Sequence, residues 1–156
     1  MRHMLFALLL GASFAVPAFA QSSVATDTGT VAGTADALVI SFKGIPYAAP
    51  PVGPLRWKAP EPALVWSGVR DAKAYGNACP QPVRTEAWAQ VGAQSEDCLF
   101  LNVWRPKKPG KYPVMIFLHG GGFVFGAAGV PLYDGSGLGA RGGVARPSSQ
   151  RRVPVS

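Results

Sequence analysis

The sequence predicts an α/β fold, and three observations lead to this class. Residues 114–118 (Val-Met-Ile-Phe-Leu) are apolar at every position, which is typical of a strand covered on both faces. A run of three glycines, residues 120–122, follows closely, at the strand end where open α/β sheets form ligand crevices. Short β-prone runs separated by turn residues lie nearer the N-terminus and indicate antiparallel strands.

The first twenty residues have the pattern of a secretory signal peptide. A basic start precedes the apolar stretch from Leu5 to Val16, and Ala18-Phe19-Ala20 supplies the small residues of a cleavage site. The stretch is shorter than the roughly 20 apolar residues of a membrane span. We therefore expect a secreted or periplasmic chain cleaved after Ala20, so that it begins at Gln21. The alternative is an N-terminal core helix.

The net charge of +7 is concentrated at the two ends of the chain. Residues 21–140 contain ten basic and eight acidic side chains, so they offer no cationic face for nucleic acid. Residues 142–156 contain arginines but no acid, no aromatic residue and no apolar periodicity. We expect a disordered basic tail that is not the natural continuation of the domain. An arginine-rich arm for anionic partners is the functional alternative.

After the signal peptide, β-prone runs at 24–26, 30–33 and 37–42 predict an antiparallel hairpin or meander. The proline density of residues 46–62 excludes a helix interior and a central strand. A polyproline ligand is one interpretation of this segment. Interleaved apolar residues favour instead an ordered loop packed on its own domain. These expected anchors are Ile45, Tyr47, Leu55 and Trp57.

Two clearer strands follow, at residues 99–104 and 113–118, joined by a turn-forming segment rich in proline and lysine. Because the second strand is continuously apolar, we expect it to lie inside a sheet flanked by helices. Beyond the glycine run, Asp134 is expected to cap a short helical turn that extends through Leu138. The glycines within that turn weaken its helix propensity.

The glycine run has a definite physical use. Without Cβ atoms, residues 120–122 can adopt positive φ and turn successive N–H groups toward one anion. A phosphate is disfavoured because neither phosphate-loop glycine motif occurs and no lysine follows the run. The oxyanion of an acyl-transfer intermediate fits better, since His119-Gly120-Gly121-Gly122 matches the oxyanion-hole motif of lipases and esterases. A purely structural glycine turn is the remaining alternative.

Four sequence blocks, in order, extend this match over roughly residues 24–141. They lie at residues 42–53, 55–57, 95–103 and 117–123. Together they resemble the N-terminal part of the type B carboxylesterases, the family that includes the cholinesterases. The resemblance implies an α/β-hydrolase fold, with a mixed, mostly parallel sheet and antiparallel N-terminal edge strands. Residues 21–141 would supply only the N-terminal part of that domain, so residues 114–118 would lack the strands and helices that should cover them.

The resemblance also implies roles for the residues of the glycine loop. The backbone N–H groups of Gly121 and Gly122 would form the oxyanion hole, while His119, Gly120 and Phe123 would support the loop. The alternative, that His119 is a general base, would leave the loop without its supporting side chain.

The groups that would perform nucleophilic chemistry are not found in residues 21–156. The elbow motif Gly-x-Ser-x-Gly does not occur there, and His119 is the one histidine. Gly135-Ser136-Gly137 lacks the flanking glycines, and the matching serine of the family is not its nucleophile. We therefore expect a serine esterase by family, acting on a small-molecule ester through an acyl-enzyme. The chain would be a truncated or frame-shifted version, inactive alone and without a cofactor or metal. The alternative is a noncatalytic secreted binding or adhesion module on a hydrolase-like body.

Two pairs of residues complete the expectations. Export favours a bridge between Cys79 and Cys98, and the resemblance implies this disulfide. A zinc site is the alternative, although two thiolates alone do not complete a tetrahedral set. The resemblance implies an ion pair between Arg56 and Glu96, against the alternative of two separate surface charges.

Overall fold

The computed structural model describes residues 22–86, 90–122, 124–142 and 146–149. The expected signal peptide, Phe123 and most of the expected basic tail lie outside these residues. The elements in chain order are β1 (Ser23–Thr26), β2 (Gly29–Ala32), β3 (Thr34–Ala35), β4 (Val39–Pro46), β5 (Val69–Asp71), β6 (Phe100–Pro106), β7 (Phe117–Leu118), α1 (Ser136–Gly142) and β8 (Arg146–Ser149).

A small sheet opens the described chain, with the strand order β1-β2-β5. Strands β1 and β2 form an antiparallel hairpin, as the sequence predicts, and β5 pairs with β2 in parallel. Gly29 closes the hairpin with a φ of 147°, and an added Cβ would lie only 2.6 Å from Nε1 of Trp66. That indole nitrogen donates to the Thr30 carbonyl at 2.9 Å, so the ring holds the hairpin against its own sheet.

The larger sheet has the order β3-β4-β6-β8-β7, and its longest pairing is the antiparallel one between β4 and β6. The register of this pair shifts between Phe42 and Ile45. Within the shift, Gly44 adopts a φ of 68°, and its N–H donates to Oδ1 of buried Asn102 at 2.9 Å. The buried side chain therefore satisfies a donor that the irregular pairing removes from the ladder.

Three small groups of buried side chains form the core. Val31, Ile40, Phe42 and Ala72 pack together between the two sheets. A second group surrounds the bridged cysteines, and a third lies beneath the segment that follows the glycine run. Because the third group holds that segment from below, the core also fixes the base of the candidate site.

The continuously apolar segment differs from its prediction. Only Phe117–Leu118 forms a strand, and Val114 and Ile116 are 68% and 70% exposed. The predicted strand over residues 113–118 is therefore wrong in its extent, whereas the exposure of these side chains agrees with the expectation that the covering strands and helices are lacking here. The physical reason is that, among the described residues, no helix packs over this segment, and an apolar sequence is buried only when another element covers it.

Residues 146–149 differ from the expectation of a disordered tail. This stretch forms β8, antiparallel to β6 and parallel to β7. Backbone pairing explains the difference, because the open edge of β6 offers N–H and C=O groups to any extended segment, whatever its composition. Composition alone therefore did not predict this strand.

The proline-rich segment is an ordered loop on its own domain, as predicted. Its expected anchors differ in burial, because Ile45 packs partly buried against the core group of Val31 whereas Trp57 lies at the surface. A 3₁₀ turn spans Gly53–Leu55, and the N–H of Ala49 donates to the Glu61 carbonyl at 2.9 Å. Ala48 and Ala49 are buried, whereas Trp57 is 61% exposed. The small side chains of Ala48 and Ala49 fit beneath the folded loop, whereas the large Trp57 ring lies at the surface.

The expected short helix is α1, and it begins at Ser136 and ends at Gly142. Asp134 accepts the N–H of Ser136 at 2.9 Å, which is the capping contact expected from sequence. The helix continues past Leu138 to Gly142, and Gly135, just before it, packs so closely on the Trp104 ring that an added Cβ would lie 2.7 Å from it.

Candidate active site

The glycine loop that follows β7 depends on two backbone conformations that favour glycine. Gly121 has a φ of 127° and Gly122 a φ of 61°. A Cβ at Gly121 would overlap the carbonyl oxygen of Phe125, whereas one at Gly122 would meet nothing within 4 Å. Gly121 is therefore required by both space and angle, and Gly122 by angle alone.

The loop closes on its own carbonyl. The Gly121 oxygen accepts N–H groups from Val124 at 3.0 Å and from Phe125 at 3.2 Å. In the described part of the chain, the N–H groups of Gly121 and Gly122 have no hydrogen-bond acceptor. Because Gly122 is exposed and Gly121 is partly exposed, these two donors are available to an anion from outside.

His119 lies beneath this loop and is only 3% exposed. Its Nδ1 is 2.8 Å from the Gly120 carbonyl, which can only accept, so we assign the proton to Nδ1. Nε2 has no partner among the described residues. A Cβ at Gly126 would lie 2.6 Å from Nδ1, so the ring fills the space under the loop.

Two side chains to which the sequence analysis assigned no role hold the region behind the loop. Asn102 joins β6 to both Gly44 and the Ala128 carbonyl, the latter at 3.5 Å. Gln81 contacts the backbone of Gly126. An amide side chain has no sequence signal beyond its type, but a buried strand position for Asn102 and proximity to Cys79 for Gln81 were available hints.

A half-buried polar cluster surrounds Asp134, just before α1. The Tyr75 hydroxyl donates to Oδ2 of Asp134 at 3.0 Å, and Nζ of Lys43 lies 3.8 Å from the same oxygen. Burial raises the pKa of Asp134, but the hydrogen bonds from Ser136 and Tyr75 and the charge of Lys43 together lower it by more. The pKa of Asp134 is therefore below its ordinary value. Burial, together with Asp134, raises the pKa of Tyr75.

Ser136 belongs to this capping cluster. Its hydroxyl donates to Oδ1 of Asp134, and its N–H bonds to the same oxygen. The hydroxyl is thus engaged with a carboxylate that already caps α1, which agrees with the expectation that Ser136 is not a nucleophile.

The two expected pairs of residues are in contact. Cys79 and Cys98 form a disulfide, with both side chains buried. Nε of Arg56 lies 2.7 Å from Oε1 of Glu96, and both side chains are more than a third exposed. An ion pair this exposed contributes no more than about 1 kcal/mol, so its value lies in geometry rather than in stability.

A groove of about 540 Å³ lies elsewhere, between the β1–β2 hairpin, the proline-rich loop and the larger sheet. Its lining is mainly apolar, and it includes Phe42, Ile45, Leu101 and Val103 but no residue of the glycine loop.

The described residues contain no cluster of side chains suited to a metal ion. They also contain no helix with the length and apolar character to cross a membrane.

Comparisons with known proteins agree with this arrangement. Residues 20–145 match the model of the Carboxylesterase family. The para-nitrobenzyl esterase of Bacillus subtilis (strain 168) is 52% identical over 124 residues, covering 78% of this chain and 25% of that protein. The fumonisin B1 esterase of Sphingopyxis macrogoltabida is 44% identical over 141 residues, covering 86% of this chain and 26% of that protein.

More distant relatives and solved structures give the same result. The acetylcholinesterase of Bungarus fasciatus is 43% identical over 125 residues, covering 72% of this chain and 21% of that protein. A solved structure of PNB esterase superposes with a TM-score of 0.81 at 48% identity, covering 85% of this chain and 28% of that one. The chain therefore spans about a quarter of the length of the curated relatives it matches.

Proposed function

The chain belongs to the carboxylesterase family and has the fold of the N-terminal part of an α/β-hydrolase; on this premise we propose that it supplies the oxyanion-stabilising part of a serine-type carboxylic ester hydrolase. The observation that carries the proposal is the pair of N–H groups at Gly121 and Gly122, two residues at the surface whose N–H groups have no acceptor among the described residues. Attack on an ester carbonyl places negative charge on the former carbonyl oxygen. Two fixed main-chain donors would stabilise that charge without reorganising.

Nucleophilic attack would need groups that residues 21–156 do not bring. The one histidine there, His119, is buried under the loop, and the Ser136 hydroxyl is bonded to a carboxylate. We therefore propose that a serine nucleophile, its histidine base and its acid belong to the remaining part of a family domain. These residues alone would show no ester hydrolysis above background and no labelling by a serine-directed phosphonate.

A chimera tests the proposal directly. Residues 22–141 would replace the matching segment of the para-nitrobenzyl esterase, and hydrolysis of a para-nitrobenzyl ester would be followed. We expect an active chimera in which Gly121→Val lowers kcat by about 10²–10³, as expected when one oxyanion donor is lost. The matched control is Gly137→Ala, because Gly137 lies in α1 and a Cβ there meets nothing within 4 Å.

Two results would count against the proposal. An unchanged kcat in the Gly121→Val chimera would show that the loop does not stabilise the reaction. Ester hydrolysis or phosphonate labelling by the 156-residue chain itself would show that a nucleophile is already present in it.

We also propose that residues 1–20 direct export and are removed after Ala20. The disulfide supports this, since such bridges persist in oxidising compartments. Mass spectrometry of the exported protein should give a chain that begins at Gln21. Accumulation of the uncleaved chain in the cytoplasm would contradict the proposal.

A further inference from the structure

The side-chain amide of Gln81 both accepts a hydrogen bond from and donates one to the main chain of Gly126. Its Oε1 accepts the N–H of Gly126 at 2.7 Å, and its Nε2 donates to the Gly126 carbonyl at 3.0 Å. Nε2 also donates to the Cys79 carbonyl at 3.0 Å. The three partners fix the amide orientation. If the amide were flipped, its NH₂ group would face the N–H of Gly126, and its oxygen would face the carbonyl oxygens of Gly126 and Cys79.

Gly126 is packed against the base of the glycine loop. It is buried, has a φ of 118°, and an added Cβ would lie 2.6 Å from the Gly120 carbonyl oxygen. The turn that joins the two ends is tight, since Gly121 accepts N–H groups from Val124 and Phe125. A displacement of Gly126 would therefore be transmitted to Gly120 and Gly121 through direct contact.

The other end of the contact is anchored firmly. Gln81 follows Cys79 by two residues, and Cys79 is buried and bridged to Cys98. The N–H of Gln81 donates to Oε1 of Gln94 at 2.8 Å, which ties it to the opposite side of the same disulfide-closed loop. A second contact joins the two loops, because the Arg84 guanidinium lies 4.5 Å from the Phe125 ring centroid.

We propose that Gln81 is a positioning residue, which holds the glycine loop in its anion-binding conformation by clamping Gly126 to the disulfide-closed loop. Its meaning for catalysis rests on the proposed function, because the N–H groups that it positions are those of Gly121 and Gly122. The geometry of the clamp does not depend on that function. The clamp is effective because one side chain satisfies both backbone groups of a residue whose conformation only glycine adopts readily.

The test uses the full chain labelled with ¹⁵N and follows individual glycine amides by NMR. Gln81→Met keeps the length of the side chain and removes all three hydrogen bonds. We expect hydrogen exchange at Gly126 to accelerate about fivefold or more, as for the loss of one hydrogen bond. We also expect the amide signals of Gly121 and Gly122 to shift, since the loop relaxes.

The variant Gln81→Glu keeps the hydrogen bond that Gln81 accepts and removes the two that it donates. At neutral pH a carboxylate still accepts the Gly126 N–H but cannot donate to the carbonyls of Gly126 and Cys79. The hydrogen-bonded proton signal of Gly126 should therefore persist in this variant while the Gly121 and Gly122 signals move. If Gln81→Met does not fold, this partial removal of the clamp carries the test.

Internal references separate positioning from general loss of stability. Gly44 donates to Asn102 in the larger sheet and makes no contact with Gln81, so its exchange rate should change less than that of Gly126 in both variants. Gln90→Met is the matched control, because Gln90 is exposed in the same loop and its change should leave every glycine signal in place. Unchanged signals of Gly121 and Gly122 in the Gln81 variants, or equal acceleration at Gly44 and Gly126, would overturn the proposal. None of these measurements needs an ester or a nucleophile, so an inactive chimera would leave the clamp standing.

Discussion

Gly121 and Gly122 are adjacent, yet each must be glycine for its own reason. Gly121 is limited by the Phe125 carbonyl as well as by its backbone angle, and Gly122 by its angle alone. The glycine run and His119 could be found from sequence because such residues signal a special backbone path. The partners of Gln81 and Asn102 could not, because an amide side chain bonds wherever the tertiary structure places a backbone group.

This difference between the two glycines predicts unequal costs of substitution. Gly122→Ala should lower the free energy of unfolding by about 1–2 kcal/mol, the strain of a left-handed residue. Gly121→Ala should cost more, since the loop must open to release the overlap. Urea unfolding of both variants measures the difference. Equal midpoints would mean that the Phe125 carbonyl moves aside freely.

The capping cluster around Asp134 predicts a dependence of stability on pH. Because the folded pKa of Asp134 is depressed, its contribution is present above the unfolded pKa and is lost as the pH falls through the folded value. Asp36 adds an effect of the same sign, because N–H groups of Val39 and Leu38 lower its pKa. Urea midpoints measured from pH 6 downward should fall less steeply in Asp134→Asn than in the parent. An identical pH slope in the two proteins would contradict this account.

At the scale of elements, the disulfide-closed loop is joined to the glycine loop through the contacts of Gln81 with Gly126. The sequence predicted the hairpin of β1 and β2, the strand β6 and the cap of α1, because these depend on local patterns. It failed at residues 113–116, at Trp57 and at β8. Each of these depends on which surface covers the segment, and no local pattern records that.

Removal of the disulfide should therefore affect both stability and the site. Cys79→Ala combined with Cys98→Ala should lower the free energy of unfolding by about 3 kcal/mol, the chain-entropy cost of a loop of this length. Amide exchange at Gly126 should also accelerate more than exchange at Gly44. Calorimetry and hydrogen exchange on the same samples provide both values. A loss of stability with an unchanged ratio of the two rates would separate the bridge from the glycine loop.

For the molecule as a whole, the apolar segment before the glycine loop is an exposed hydrophobic surface. Val114 and Ile116, before the short strand β7, and Leu118, within it, are all largely exposed. Clustered apolar side chains beside a short strand favour contacts between copies. The segment has the sequence of an interior strand, and the described residues leave it at the surface, as expected where the elements that should cover it are lacking.

This surface predicts self-association. Ile116→Lys should lower the apparent mass in light scattering at high protein concentration, because charge interrupts the apolar patch. Val83→Lys is the matched control, since Val83 is also exposed but lies on the disulfide-closed loop. A parent chain that remains monomeric, or an equal effect of the two substitutions, would show that this segment does not drive association.

The pairing of β4 with β6 also determines the order in which the molecule can form. These strands are far apart in the chain, and Val39 lies opposite Pro106. The pairing of β4 with β6 therefore cannot begin until synthesis has reached residue 100 and is complete only after residue 106, whereas the local pairings β1–β2 and β3–β4 can form much earlier. Cys79 and Cys98 both lie between the two strands, so their oxidation shortens the segment that must be closed. The bridge that holds the finished site is thus also expected to accelerate its assembly.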